Sequence, residues 1–429
     1  MNHAMVNLDD FGKSPTSALR FISLPLRRTI RTPRDTRLAR LEFGTFYKAV
    51  CESNFYDSIN LKHERLQTQG VEAAGVTELP VRIEGIRIRD LAAFARNVAS
   101  DPAYADTSPT CLLRAASQAA NPHAAPDDVA LLVAYHAGRC VGYHGLLPGA
   151  LRTAAGLSKV TWLITFYVAP AFRGRGIGAR LVREALALGV DLVTTGITRA
   201  AERAYRAAGF RDLGELVCRR FSVESYPRPA RWLVYALICG RLRDHWPVRP
   251  VACISTEAVG GWECNTDAPL FPRGVDTVNW MLTHPWVVSR SDAAPDVPAY
   301  YFSSVRDLFR FEAYEVGSAT DKPRGAFVLS ATRQKGKTQV KLLDGFFPDP
   351  THTAAAGIVA LRRGRDLLAH RIDLPLCLEG FLNGSRLLRR LTRRKSRLTL
   401  YHPRDPESPL ACCAGKISLD YCDGDSAFT

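Results

Sequence analysis

The first half of the chain shows strand-like and helix-like hydrophobic spacing from about residue 81 onward. Residues 81–88 alternate apolar and polar positions as a half-buried strand does, and a helix capped by Asp90 is predicted after them. A hairpin turning at Gly138-Arg139 follows, then a β-branched strand, and then two helices that alternate with two more strands. These segments are residues 128–135, 140–147, 160–168, 177–188, 191–195, 199–208 and 215–223. The order predicts an α/β or α+β fold, with one mixed sheet and helices packed on it.

The second half repeats this order after a proline-punctuated connector. Its helices are predicted over residues 280–287, 354–368 and 384–391, and its strands over residues 299–302, 311–316, 324–332, 339–347, 371–378 and 397–401. At 429 residues the chain also exceeds what a single hydrophobic core usually organises. We therefore predict two similar domains in tandem, over residues 79–226 and 276–429. Residues 1–78 would be a partly disordered extension and residues 227–275 a linker.

The formal net charge is +15, and 47 of the 57 basic residues are arginine. Arginine presents a planar fork of donors that suits phosphate and carboxylate, so an anionic ligand or partner is one interpretation. A genome of high GC content would give the same excess, and both interpretations stay open. The densest basic run, residues 386–397, contains leucines and lacks the interleaved aromatics of a nucleic-acid surface. It is interpreted as a packed helix with a solvated basic face, and nucleic acid is not the expected partner.

The cysteine pattern and the hydropathy indicate a cytoplasmic protein. Eleven cysteines occur without any Cys-x-x-Cys pair, which favours reduced thiols. No apolar run reaches the length of a membrane span, and the N-terminus lacks the apolar core of a signal peptide. An arginine-rich targeting arm is the alternative for residues 27–40, but the acidic residues Asp35, Glu42 and Glu52 speak against it.

The most informative stretch is Arg173-Gly174-Arg175-Gly176-Ile177-Gly178. It follows a predicted strand that ends at Pro170 and leads into a predicted helix. Glycines allow the positive φ angles of a tight turn and remove side chains that would block a ligand. The exposed N–H groups and the helix N-terminus favour anions, and two arginines add full positive charges. The stretch therefore predicts a site for a phosphate or pyrophosphate, with a plain glycine-rich turn as the alternative.

Two other nucleotide motifs fit this stretch poorly. A P-loop needs lysine and then serine or threonine after its second glycine, and neither is present. The dinucleotide fingerprint needs a third glycine where Arg180 or Leu181 stands, and it normally follows a chain's first strand.

The stretch resembles motif A of the GNAT superfamily of acyl-CoA-dependent N-acyltransferases. The family pattern Gln/Arg-x-x-Gly-x-Gly/Ala is met by Arg173, Gly176 and Gly178, and Val168-Ala169-Pro170 matches the family's Val-x-Pro. Downstream, residues 205–210 resemble the Tyr-x-x-x-Gly-Phe of motif B. The resemblance covers about residues 81–223 and implies that acetyl-CoA, or another acyl-CoA, is the co-substrate.

The resemblance implies roles for particular residues. Backbone N–H groups of residues 173–178 would hold the CoA pyrophosphate. Phe166 and Val168 would pair with the pantetheine arm, in a slot where the strands over residues 160–168 and 191–195 splay apart. Tyr205 matches the tyrosine that protonates the departing thiolate, and a phenol is suitable because its ordinary pKa of about 10 lies above that of a thiol. The alternative for Tyr205 is an aromatic side chain that only packs on the sheet.

The sequence does not identify a general base. The fourth strand offers Thr165 and Tyr167 but no carboxylate. His144 is a candidate because it could face the cleft and because histidine titrates in the appropriate range; the alternative is an ordinary core or surface histidine. The family's frequent asparagine before the last helix is also absent, and Thr198 and Arg199 stand in that neighbourhood.

The second half departs further from the family pattern. Residues 348–353 have no glycine turn or arginine pair, and Asp349 would repel a pyrophosphate. Gly380-Phe381 and the closing Asp423-Gly424-Asp425 resemble tandem GNAT proteins of bacterial polysaccharide gene clusters. The resemblance implies a degenerate domain that shapes the acceptor site.

The predicted function is direct transfer of an acyl group from acyl-CoA to a primary amine. No Gly-x-Ser-x-Gly elbow supports covalent catalysis, and the ten histidines show no metal-ligand spacing, so no metal is expected. An amino sugar is one candidate acceptor, and a protein amine, a polyamine or an antibiotic stays open. The rival predictions are a non-catalytic acyl-CoA-binding scaffold and an aminoacyl transferase that uses aminoacyl-tRNA.

Overall fold

A mixed sheet organises the part of the chain that the structure describes. In the computed structural model this part is residues 80–425 without residues 243–245, 260–268, 293–299, 301, 303, 318–324 and 421–422. The predicted extension over residues 1–78 lies outside it. The elements of the first half, in chain order, are β1 (Arg82–Arg87), α1 (Ile88–Val98), α2 (Leu112–Ala119), β2 (Val129–His136), β3 (Arg139–Thr153), β4 (Gly156–Val168), α3 (Ile177–Ala187), β5 (Leu192–Thr195), α4 (Arg199–Ala207) and β6 (Arg211–Ser222).

The second half contributes the remaining elements. They are α5 (Arg228–Cys239), β7 (Val248–Val251), α6 (Thr256–Val259), α7 (Val275–Thr283), β8 (Val288–Ser289), β9 (Val305–Arg306), β10 (Leu308–Val316), β11 (Ala326–Gln334), β12 (Lys337–Phe346), α8 (Thr353–Asp366), β13 (Arg371–Pro375), α9 (Glu379–Asn383), α10 (Arg386–Leu391), β14 (Thr392–His402) and α11 (Pro409–Cys413). The segment predicted as a linker, residues 227–275, thus contains α5, β7 and α6.

Among the described residues, twelve strands form one sheet in the order β1-β2-β3-β4-β5-β14-β6-β13-β12-β11-β10-β7. In each half, neighbouring strands are antiparallel from the outer edge of the sheet inward, until one parallel pair. This pair is β4 with β5 in the first half and β12 with β13 in the second. The two halves exchange their last strands, because β14 lies against β5 and β6 lies against β13. The strand order therefore repeats within the chain, and the halves share one continuous sheet with no exposed edge between them.

Helices α3 and α4 cover one face of the first half. Their buried side chains, among them Leu181 and Tyr205, pack against Leu146, Leu163 and Leu400 of the sheet. The opposite face carries α1 and α2 and a large apolar cluster built from both halves. In the second half, α5 and α8 pack on β11, β12 and β13. Within the described residues, no helix is long and apolar enough to cross a membrane.

Most strands predicted from hydrophobic spacing are present, and the differences are local. Helix α1 begins at Ile88 with Arg87 as its N-cap, so Asp90 lies in the first turn and is not the cap. The basic run over residues 386–397 is a helix only to Leu391 and then becomes β14, because its backbone pairs with β6. The predicted strand over residues 299–302 falls largely outside the described residues, and Tyr300 and Phe302 are not in a strand.

Candidate active site

The glycine turn lies between the end of β4 and the start of α3. Gly174 has φ of 76° and Gly176 has φ of 78°, in the left-handed region that favours glycine. Gly176 is the N-cap of α3. A Cβ added to Gly178 would lie 3.2 Å from Cζ of Phe166, so this glycine allows the helix to approach β4 closely. The local sequence thus produces a turn that directs the start of α3 toward the end of β4.

The N-terminus of α3 offers backbone donors together with positive charge. The N–H of Arg180 donates to the carbonyl oxygen of Gly176, at 3.0 Å, and the preceding N–H groups belong to the first turn, which has no intrahelical acceptor. Nε of Arg173 donates to the carbonyl oxygen of Val168, at 3.0 Å, so this side chain folds back over the strand end. Arg175 is exposed, with its guanidinium carbon 5.8 Å from the ring centre of Phe172. This arrangement suits an anion.

Strands β4 and β5 diverge beside this turn. They pair only from Thr161↔Leu192 to Leu163↔Thr194, while β4 continues to Val168. In the same region β4 contains a bulge, because its pairing with β3 shifts between Tyr143 and Gly145. Thr165, at the bulge, has φ of 45° although it is β-branched. Because of the bulge and the divergence, the backbone groups of β4 past Leu163 do not pair with β5.

Three predicted site residues meet on the α3 side of this divergence. The hydroxyl of Tyr205 lies 2.8 Å from Nε2 of His144. The ring of Phe166 lies 4.6 Å from that of His144 and 5.7 Å from that of Tyr205, centre to centre. Helix α4, which carries Tyr205, begins after Thr198, whose side chain accepts a hydrogen bond from the N–H of Ala201.

Burial changes the acid–base behaviour of this cluster. It lowers the pKa of His144 to about 3, so the imidazole is neutral near pH 7 and does not titrate in the range expected of a free histidine. Nδ1 of His144 is buried and has no hydrogen-bond partner among the described residues. Burial also raises the pKa of Tyr205, partly offset by a hydrogen bond with Thr194. Tyr205 therefore keeps its proton at physiological pH.

A polar cluster that the sequence did not predict lies on the opposite side of the bulge. Arg114 of α2 is buried, and its side chain donates to the hydroxyl of Tyr300 at 2.8 Å. Burial raises the pKa of Tyr300, and interaction of its hydroxyl with Thr165 of β4 is one of the effects that oppose the rise. The guanidinium of Arg114 lies 4.4 Å from the ring centre of Trp286, and NH2 lies 3.9 Å from Oδ2 of Asp425. No local spacing links these residues, so only the fold reveals the cluster.

The equivalent position in the second half is built differently. Asp349 follows β12, and its carboxylate accepts the N–H of Thr351 at 2.8 Å, which lowers its pKa and keeps it ionised. A Cβ added to Gly357 of α8 would lie 2.4 Å from Cε1 of Phe381, so that ring packs directly on the helix. At this position the second half thus has a negative charge, on Asp349, and an aromatic ring, on Phe381, instead of a glycine turn.

A cavity of about 530 Å³ lies elsewhere, at the edge of the second half. Its wall includes Pro250, Leu282, Phe309, Glu312, Tyr314 and Arg363. None of the site residues predicted from the sequence lines it, so this cavity is separate from the glycine turn and from Tyr205.

Part of the first half matches a known family model. Residues 127–212 match the family model described as an acetyltransferase (GNAT) domain. No curated protein matches the chain at a significant level.

Three solved structures resemble the chain at low identity. A GCN5-related N-acetyltransferase from Anabaena variabilis is 13% identical, over 65% of this chain and 63% of that chain, with a TM-score of 0.40. A putative acetyltransferase from Pyrococcus horikoshii is 14% identical, over 83% of this chain and 98% of that chain, with a TM-score of 0.41. A tandem GNAT protein from the clavulanic acid biosynthesis pathway is 14% identical, over 76% of this chain and 100% of that chain, with a TM-score of 0.43.

The region matched by the family model contains every predicted site residue of the first half. It includes the glycine turn over residues 173–178, the β4 residues Phe166 and Val168, and the buried pair of His144 and Tyr205. Residues 127–212 of this chain are therefore similar in sequence to the acetyltransferase (GNAT) domain.

Proposed function

We propose that this protein is an N-acyltransferase that moves an acetyl or other acyl group from acyl-CoA to a primary amine. The observation that carries the proposal is the position of the glycine turn. It lies at the N-terminus of α3, beside the divergence of β4 and β5, with Tyr205 buried behind it. The domain match over residues 127–212 supports acyl transfer as the type of reaction.

The first part of the proposal concerns the binding of acyl-CoA. The N–H groups of residues 173–178 donate to the pyrophosphate, and Arg175 adds an exposed positive charge. A charge at a helix N-terminus contributes about 0.3–1 kcal/mol at exposed sites, and several N–H donors act together. Backbone groups of β4 at Phe166 and Val168, past the last pair with β5, bind the pantetheine arm. The thioester is thereby held beside the bulge at Thr165.

The second part concerns the reaction. The amine nitrogen attacks the thioester carbon, a C–N bond forms and the C–S bond breaks. Tyr205 gives its hydroxyl proton to the departing thiolate. At ordinary pKa values of about 10 and about 8.5 this transfer is uphill by about 1.5 pKa units. Burial raises the pKa of Tyr205, which widens this difference, and burial of the thiolate raises the pKa of the thiol, which narrows it. His144, neutral and 2.8 Å away, holds the Tyr205 hydroxyl in position.

The third part concerns the organisation of the chain. Residues 79–226 form the cofactor domain, and residues 276–429 form a degenerate GNAT-like domain joined to it through residues 227–275. The repeated strand order supports this, as do the negative charge of Asp349 and the Phe381 ring that packs on Gly357. The second domain completes the acceptor side of the first, since Tyr300 and Asp425 contact Arg114. The protein acts in the cytoplasm, on a small amine such as an amino sugar. A polyamine suits a chain of net charge +15 less well.

The first test is calorimetric titration of acetyl-CoA into the wild type and Gly176→Glu. Gly189→Glu is a matched control, because Gly189 has φ of 64°, follows α3 and, like Gly176, has open space around it. A side chain in the left-handed region costs about 1–2 kcal/mol at both positions. Only Gly176→Glu puts a carboxylate beside the pyrophosphate, so we expect it to weaken binding about tenfold or more, which is about 1.4 kcal/mol.

A thiol-release assay over a panel of primary amines then separates catalysis from binding. The panel contains glucosamine, a lysine peptide, spermidine and an aminoglycoside. Thiol release that depends on one amine supports the transferase. Binding of acetyl-CoA without release by any amine supports the non-catalytic scaffold. No binding by folded wild type would overturn the acyl-CoA site and leave aminoacyl-tRNA as the donor to test.

A further inference from the structure

The C-terminal segment returns to β4 next to the proposed reaction centre. Gly424 has φ of 71°, and a Cβ added to it would lie 2.8 Å from Cε3 of Trp162. Trp162 is a buried residue of β4, just before the bulge at Thr165. Asp423 is held in place by Arg273, whose NH1 lies 2.5 Å from its carboxylate. The segment is therefore fixed on the sheet, with Asp425 following directly.

Two side chains, those of Arg114 and Tyr300, connect Asp425 with the region of the bulge. Its Oδ2 lies 3.9 Å from NH2 of Arg114, and NH1 of Arg114 donates to the Tyr300 hydroxyl at 2.8 Å. Burial raises the pKa of that hydroxyl, and its interaction with Thr165 is one of the effects that oppose the rise. The Asp425 side chain keeps 19% of its surface exposed, against 6% for Arg114. A carboxylate thus stands on the side of β4 opposite to α3.

Direct attack by an amine needs a group that removes a proton from nitrogen. Strand β4 carries no carboxylate, and His144 is buried, neutral and bonded to Tyr205. Burial raises the pKa of Tyr205, and the carboxylate of Asp425 adds to that rise.

We propose that Asp425 is the catalytic base, which accepts a proton from the acceptor amine on the face of β4 that carries Arg114 and Tyr300. This role rests on the acyl transfer proposed above and adds a residue from the far end of the chain to it. Burial raises the pKa of Asp425, and the cations Arg114, Arg397 and Lys341 oppose that rise. A higher proton affinity favours the carboxylate as a base near neutral pH.

Two protons move in this step. The amine nitrogen bonds to the acyl carbon as the C–S bond breaks, and one N–H proton passes to the Asp425 carboxylate. The thiolate takes the Tyr205 proton. Asp425 then releases its proton to solvent and Tyr205 regains one from solvent. The net products are the amide and the free thiol, and no other reactant is needed.

The test compares Asp425→Asn and Asp425→Glu with Asp420→Asn in the full chain. Asp420 is a matched control, because it lies on the same segment, its side chain is 44% exposed, and it pairs with Arg273 at 3.1 Å. Thiol release is measured over the same amine panel from pH 6 to pH 10, and acetyl-CoA affinity is measured by calorimetry. Thermal unfolding of each variant shows whether it is folded.

For Asp425→Asn we expect kcat to fall about 100-fold at pH 7, with the acetyl-CoA Kd changed less than about twofold. Its rate should rise steadily with pH, because hydroxide and the free amine replace the lost base. Asp425→Glu should restore part of the rate, and Asp420→Asn should keep the wild-type profile. A structural role as counterion to Arg114 alone would lower stability and leave the pH profile unchanged.

Two results would count against this role. Wild-type kcat and pH profile in Asp425→Asn would show that another group removes the proton. Equal losses in Asp425→Asn and Asp425→Glu that follow the loss of thermal stability would show a structural role only. Failure of the wild type itself with every amine is a distinct result, which overturns the acyl transfer and the role of Asp425 with it.

Discussion

The hydroxyl of Tyr205 and Nε2 of His144 lie 2.8 Å apart, although 61 residues separate them in the chain. Both side chains are almost fully buried, at 1% and 0% exposure. The pair joins helix α4 to strand β3 across the divergence of β4 and β5. A buried tyrosine hydroxyl with a neutral partner keeps its proton and its direction, which is what a donor to a leaving thiolate needs.

Tyr205→Phe should lower kcat about 100-fold and leave acetyl-CoA affinity almost unchanged, because the ring still packs and only the proton is lost. Steady-state kinetics and calorimetry measure the two effects. The control is Tyr135→Phe, since Tyr135 shares a 2.8 Å hydrogen bond with Tyr104 outside the candidate site. Both variants leave a polar group unpaired, which costs about 1–3 kcal/mol of stability. Wild-type kcat in Tyr205→Phe would exclude the phenol as proton donor.

His144 should make the fold less stable in acid. Its pKa is about 3 in the folded chain and about 6.5 when unfolded, so the unfolded chain binds the extra proton between these values. Stability therefore falls as pH drops below about 6.5, and between pH 7 and pH 4.5 His144 contributes about 2–3 kcal/mol of that loss. Urea unfolding of the wild type and His144→Gln at both pH values measures it. If the free energy of unfolding fell by the same amount in the wild type and in His144→Gln, this contribution of His144 would be contradicted.

Arg220→Ala should destabilise the whole sheet. Arg220 of β6 holds Asp373 of β13 with two hydrogen bonds, at 2.6 and 2.7 Å, and Asp373 is fully buried. Removing the guanidinium leaves a buried carboxylate without that partner and costs about 3–5 kcal/mol. The control is Arg394→Ala, because Arg394 meets Glu215 at 3.7 Å on the exposed surface of the same sheet, where about 0.5 kcal/mol is expected.

The same variant tests the exchange of strands between the halves. Since β6 pairs with β13 of the second half and with β14, Arg220→Ala should lower the stability of both halves together. Denaturant unfolding monitored by fluorescence and by circular dichroism should give coincident transitions for the variant. A first half that unfolds separately, while the second half keeps its wild-type midpoint, would contradict a shared sheet.

Gly178→Ala should weaken acetyl-CoA binding more than it changes stability. The new methyl group would lie 3.2 Å from Cζ of Phe166, so the ring must move along the proposed pantetheine slot. We expect about a tenfold rise in Kd, or about 1.4 kcal/mol. Gly380→Ala is the control, because Gly380 lies in helix α9 with open space around it. Equal affinity of both variants and the wild type would show that Phe166 does not border the ligand.

Much of the first half could be predicted from its sequence, because its signals are local. Strand alternation, the hairpin and the glycines before Ile177 depend on neighbouring residues, and the structure contains the corresponding elements. The hairpin turn itself is Ala137-Gly138, one residue earlier than predicted, because Arg139 pairs with His136 and begins β3. The prediction of a helix over residues 386–397 was wrong past Leu391, because pairing of β14 with β6 overrides local propensity. Helix α2, which carries Arg114, lacked a clear periodic signal and was not predicted.

Local spacing in this chain determines where the backbone can turn and where an anion can meet a helix N-terminus. Gly174 and Gly176 allow the left-handed backbone of the turn, and Gly178 allows α3 to lie close to Phe166. Each of these effects depends on a single residue and can therefore be predicted from the sequence. The tertiary structure alone decides that β6 and β14 exchange partners, that His144 meets Tyr205, and that Asp425 lies beside Arg114. Those relationships depend on strand register and on packing between distant segments, which no local period encodes.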